Sequence, residues 1–279
     1  MASSTVEEAS RGWTPRWSWP VAFVATIVLA ALTFLLLPWT GEGKALAALH
    51  GLCAQQPDHT FMLGDRRLPF DARMTGIYGG AFATFITLCI LGRHRAGRLP
   101  KWPLALVAVA FVALMGIDGL NSTAMDLRGV SLYTPHNLLR LVTGLLTGIT
   151  LASLLMLLLA ETLWQRGLRK PVAVLNHWRD FGWLLLAQAP LLLMLALGWS
   201  VFWPLLTLLM LVTAAGVMMI LVLVFVLLMT RRENRARSVR DIAAPATIAL
   251  WVAFVVIGSL AGGRFLLEST LGISTVGGA

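Results

Sequence analysis

Apolar residues in this chain fall into long, nearly unbroken runs at about 19–39, 74–92, 102–120, 137–160, 181–203, 205–229 and 243–262. Each run approaches or exceeds the roughly 20 residues that carry an α-helix across a bilayer, and none alternates in the way a half-buried strand does. The pattern therefore predicts an all-α, polytopic transmembrane helix bundle of about seven spans. Trp19 and Trp39 bracket the first run as interfacial anchors. That run exceeds the core of a secretory signal, roughly 7 to 15 residues, so it is expected to be retained as a span. Pro190 interrupts the fifth run, and only Trp203-Pro204 divides it from the sixth. This pair is expected as a tight hairpin or a broken, partly re-entrant element.

Composition agrees with the pattern. Charged residues make up 13% of the chain against about 25% in a soluble domain, and mean hydropathy is +0.79. The net charge of +9 sits in short loops between spans, which argues against nucleic acid as a partner and for membrane lipid. Alternate loops differ sharply. One set holds 15 Lys and Arg, from Arg11 through Arg93 and Arg169 to Arg240; the other holds six, namely Lys44, Arg66, Arg67, Arg73, Arg128 and Arg264, with Arg140 left inside a span. Because cytoplasmic loops retain positive charge, the N-terminus is expected inside and the C-terminus outside a cell inner membrane. The chain then divides into a cytoplasmic tail at 1–18, a first span at 19–39, an extracytoplasmic polar loop at 40–73, spans two to four at 74–160, a cytoplasmic loop at 161–180, spans five to seven at 181–262 and a flexible tail at 263–279.

Candidate chemistry gathers on the extracytoplasmic side. Residues 44–53 carry Leu46, Leu49 and Leu52 at helical spacing, which fits an amphipathic helix lying on the membrane surface. His50 and Cys53, three apart on one face of such a helix, are candidate metal ligands with His59 or Asp71. Gly64-Asp65-Arg66-Arg67 reads as a compact hairpin turn. Asp71 and Arg73 point the same way on an extended stretch, toward each other or a substrate group. Gly76 and Gly80, and again Gly144 and Gly148, are spaced for close helix packing. Asp118 and Arg140 should lie at similar depth and pair, with Asn137 capping the fourth span. Cys53 and Cys89 should lie near opposite faces, too far apart for a disulfide, with Cys89 a small core residue.

The ordered blocks His50-Gly-Leu-Cys53-Ala-Gln55, Leu68-Pro-Phe-Asp71-Ala-Arg73-Met-Thr-Gly76-Ile-Tyr78-Gly-Gly80, Gly116-Ile-Asp118-Gly119 and Asn137-Leu-Leu-Arg140-Leu-Val-Thr-Gly144 resemble a family of prokaryotic integral membrane proteins known as domain of unknown function 2085. The resemblance covers about 50–148. In that family the first block commonly reads His-x-x-Cys-His and the second Cys-x-Arg-Cys-Thr-Gly, a set suggestive of a metal or redox site. Here Ala54, Asp71 and Met74 replace the second His and the paired cysteines. The resemblance implies a shared outer polar site and supplies no reaction.

The leading functional reading is a membrane protein that binds or transports a small solute or lipid, with Asp71, Arg73, Tyr78, Asp118, Asn137 and Arg140 as ligand-binding candidates. The first alternative is an accessory subunit of a membrane complex, recognising a membrane-protein partner. The second is an outer-leaflet enzyme, with a single metal ion on His50, Cys53 and His59 as its cofactor. Without a nucleophile motif, a phosphate-binding glycine loop or an HExxH pair, an enzyme is the less favoured class.

Overall fold

The computed structural model describes residues 18–272, so the 1–17 part of the expected N-terminal tail and residues 273–279 lie outside the described residues. Among the described residues seven helices or helix pairs are long and apolar enough to cross a membrane, as the hydrophobic runs predict. They are α1 (Ser18–Leu36), α3 (Ala72–Ile90), α4 (Trp102–Arg128), α5 (Asn137–Leu163), the pair α6 (Trp178–Leu186) and α7 (Ala189–Leu197), α8 (Trp203–Met229) and α9 (Val239–Leu271). A short helix, α2 (Gly41–Leu49), precedes α3. A hairpin of β1 (Met62–Leu63) and β2 (Arg66–Arg67) turns through Gly64 at φ 65°, where the expected compact turn lies.

The bundle is organised on the seam between α3 and α5, its most extensive helix contact. These helices run parallel, and their glycines alternate along the line of contact. A Cβ on Gly76 would stand 2.4 Å from the Leu141 carbonyl oxygen, one on Gly144 2.3 Å from that of Arg73, and one on Gly148 2.4 Å from that of Ile77. Only hydrogen fits between these backbones, which is how four small residues draw two helices together without a hydrophobic driving force in lipid. Helices α4 and α8 pack against the pair, α9 packs on α8, and α1 packs on α9, where Trp251 Nε1 donates to Thr26 Oγ1 at 2.8 Å.

Several boundaries differ from the sequence expectations. Helix α4 runs on to Arg128 and ends at Gly129 in the left-handed conformation, so Asn121 and Ser122 are helical rather than part of a loop. The fifth span is broken at Ala187 and Gln188, ahead of Pro190, which has no N–H to continue the ladder. The Gln188 side chain donates to the Leu184 carbonyl at 2.8 Å, satisfying a buried acceptor at the break. Gly198 and residues 200–202 then form a tight connection into α8, so the two struts form the hairpin, each long and apolar enough to cross a membrane. Helix α9 continues to Leu271, through the 263–271 part of the expected flexible tail.

Two further expectations fail for packing reasons. The apolar face of α2 does not lie on the membrane surface: Ala45, Leu46 and Leu49 are buried in the protein, and the helix packs on α8 and α9. Cys89 is exposed on the outside of α3 rather than a core residue, because the inward face at this level is taken by Leu88. Both cysteines are free.

Candidate functional site

Asp71 ends the polar loop and begins α3. Its Oδ1 accepts the Met74 N–H at 2.8 Å as a helix cap, and its Oδ2 accepts the Cys53 thiol at 3.2 Å. It does not join Arg73, as the sequence suggested, since a capping carboxylate must point back over the first turn. Arg73 reaches the other way, to α4, where its Nη2 donates to Asp118 Oδ2 at 2.7 Å and Ser122 Oγ at 3.2 Å.

Asp118 therefore pairs with Arg73 and not with Arg140. Its carboxylate is 1% exposed and also accepts the Tyr133 hydroxyl at 3.0 Å. Asn121 holds that tyrosine in place, accepting from Leu132 N at 2.7 Å and donating to the Tyr133 carbonyl at 3.0 Å. Burial, and next the hydrogen bond to Asp118, push the Tyr133 hydroxyl above its ordinary pKa.

Arg140 sits beside this pair with a different environment. It is 6% exposed. Its Nε donates to Ser122 Oγ at 3.3 Å, Nη1 to Asn137 Oδ1 at 2.9 Å, and Nη2 meets His59 Nε2 at 3.1 Å. A guanidinium offers only donors, so His59 Nε2 must be the acceptor and the imidazole neutral. Burial, followed by the Arg140 charge, holds the His59 pKa below its ordinary value, against the opposing pull of Asp126, Asp71 and Asp58. All three partners of Arg140 are uncharged, and among the described residues no carboxylate forms an ion pair with it. A buried and a half-buried guanidinium thus share one serine hydroxyl, only Arg73 contacts a carboxylate among the described residues, and its Nε atom is buried with no partner.

Asn137 does not cap its helix. His136 does, accepting from Leu139 N at 3.4 Å, which frees Asn137 to bind Arg140 and to donate to the Asp58 carbonyl at 3.1 Å. Tyr78 lies away from the arginines: its ring stacks on Phe70 at 4.7 Å in the apolar core. Five residues separate it from Arg73, which puts the two on different sides of one helix.

The sequence placed His50, Cys53 and His59 together as metal ligands, and the fold separates them. Gln55 donates through Nε2 to the Leu46 and Pro69 carbonyls, each at 2.9 Å, so its Oε1 must accept from His50 Nδ1 at 2.9 Å. His50 Nε2 faces Glu268 Oε2 at 2.9 Å, leaving neither ring nitrogen open. Cys53 is turned to Asp71, and His59 to Arg140. Among the described residues no group of three or more His, Cys, Asp or Glu is placed to hold a metal ion. Gln55 takes a left-handed backbone, φ 56°, to serve this network. Arg264 completes it from α9, donating to Glu268 and to the carbonyls of His50, Cys53 and Ala54. The candidate residues therefore fall into two polar clusters, one around His50 and one around Arg140.

Ser122, Tyr133, Gln55, Arg264 and Glu268 were missed as site residues. Only Ser122 left a signal: with Asp118 it forms an i, i+4 polar pair that extends the helical face past the assumed end of the third span.

Burial, and next the Asp71 carboxylate, push the Cys53 thiol from 9.0 up to about 12. The thiolate population then falls about a thousandfold. In a Cys89→Ala background, maleimide labelling of the folded protein near pH 8 should run at least about a hundredfold slower than in denaturant; equal rates would contradict the buried, hydrogen-bonded thiol.

No curated protein and no solved structure matches the chain. Residues 53–154, a little over a third of its length and the part that holds Asp71, Arg73, Asp118, Ser122, Tyr133 and Arg140, match the family model described as predicted membrane protein, domain of unknown function 2085.

Proposed function

We propose that this multi-span membrane protein binds an anionic group, a phosphate or carboxylate on a small solute or a lipid headgroup, between Arg73, Ser122 and Arg140, and that binding or transport of that anion is its activity. The observation that carries this reading is Arg140: a guanidinium 6% exposed, held by three neutral groups and by no carboxylate. An uncompensated buried cation is costly, and more so toward a bilayer, so its retention favours a ligand that supplies the missing charge. Planar, forked donors suit oxyanions. The arginine count supports an extracytoplasmic position for this cluster, with the N-terminus inside and the C-terminus outside an inner membrane.

Sulfate titrated into the purified protein tests the free anion, and nanodiscs of phosphatidylglycerol against phosphatidylcholine test the headgroup. Either arm is expected to raise the thermal midpoint, and Arg140→Gln should weaken the binding by about tenfold or more while Arg140→Lys retains part of it. Absence of a shift in both arms, or an Arg140→Gln variant that binds as tightly as the parent, would sink the reading.

A further inference from the structure

We infer that His59 couples proton binding to anion binding, so that the anion enters this site together with a proton taken up from the extracytoplasmic side. The inference rests on the anion site proposed above and names its regulation. His59 ends the one-turn Pro57–His59 helix in the outer loop, tied down by Asn137 on α5 through the Asp58 carbonyl. Its side chain is 19% exposed, open enough to exchange protons with water.

The charged groups facing it are Arg140 from α5, Asp126 from α4 at 3.7 Å, Asp71 from the start of α3 and Asp58 from its own turn. The neutral ring accepts from Arg140 Nη2. Protonation removes that acceptor, because an imidazolium has only donors, and sets a second cation against the guanidinium. Arg140 then loses one of its three partners, and an N–H that pointed at His59 is released toward whatever anion lies in the site. A bound anion then meets the imidazolium in addition to the guanidiniums and relieves the repulsion between His59 and Arg140. Proton and anion each stabilise the other, and linkage makes the effect reciprocal.

The sign follows from the same contacts. In the folded protein the His59 pKa is lowered from 6.5, so the unfolded chain takes the proton first and stability falls as pH drops from about 6.5 toward the depressed value. An anion opposes that loss and is held more tightly as pH falls through the window, by at most about tenfold per pH unit for one coupled proton.

Sulfate is the probe, since it does not titrate between about pH 5 and pH 8, where His59 changes charge. Its affinity for the full-length protein is measured across that range, with proton uptake followed by a pH dye in weakly buffered solution. The expected result is tighter binding at lower pH, with protons taken up on sulfate addition. His59→Gln keeps an acceptor for Arg140 and should bind sulfate without a pH slope and without uptake; His59→Asn provides a second folded variant of the same kind. A slope that persists in both variants, an opposite slope, or binding at constant affinity with no uptake overturns the coupling while leaving the anion site standing. No sulfate binding at any pH, with no phosphatidylglycerol effect, removes the site and the coupling together.

Discussion

Replacing Gly144 by alanine is expected to destabilise the protein by about 1–3 kcal/mol, and by valine more, with the thermal midpoint falling accordingly and monodisperse protein lost for the valine variant. The new Cβ would stand 2.3 Å from the Arg73 carbonyl oxygen and 3.1 Å from the Gly76 Cα. Neither is the end of a flexible side chain, so the two helices must part. Parting them at this level also moves the first turn of α3, and with it Arg73, away from Asp118 and Ser122, so the seam and the site should fail together. Gly216, on α8, is the control: nothing lies within 4 Å of its Cβ position, and Gly216→Ala should be neutral or mildly stabilising because alanine favours the helix. Similar midpoints for the two alanine variants would refute the close seam.

Asp118→Ala should cost about 3–5 kcal/mol, the range for removing one member of a buried ion pair. Among the described residues Asp118 is the one carboxylate contacting either guanidinium, so its loss leaves half-buried Arg73 and buried Arg140 as two cations around one serine. Asp118→Asn keeps the shape and should cost less. The partner is identified by a second change: Asp118→Ala with Arg73→Met should regain much of the lost stability, as paired apolar replacement often does, whereas Asp118→Ala with Arg140→Gln should regain less. The reverse order would restore the Asp118 to Arg140 pairing that the sequence suggested.

That pairing shows where sequence reasoning stops. Asp118 and Arg140 are expected at one depth, but the Ser122 hydroxyl accepts from Arg140 and from Arg73, and it is Arg73 that holds Asp118. Depth along a helix follows from counting residues at about 1.5 Å each. Which of two arginines a carboxylate meets depends on how three helices are rotated about their axes, and no count supplies that. The same limit separated Tyr78 from Arg73, which share a helix but not a face. His50 was read as open to a metal because its partners come from Gln55, in an unusual backbone conformation, and from Glu268, 218 residues away and within the expected flexible tail.

What the sequence determined by itself is the set of seven apolar segments and the glycine spacing of the α3–α5 seam. Both are local properties: apolar length decides what can cross a bilayer, and a missing side chain permits close approach wherever the helix is placed. Tertiary structure alone decided the partners of the charged groups. A buried charge chooses among neighbours by distance and direction within a few ångströms, and those neighbours arrive from helices and loops far apart in the chain.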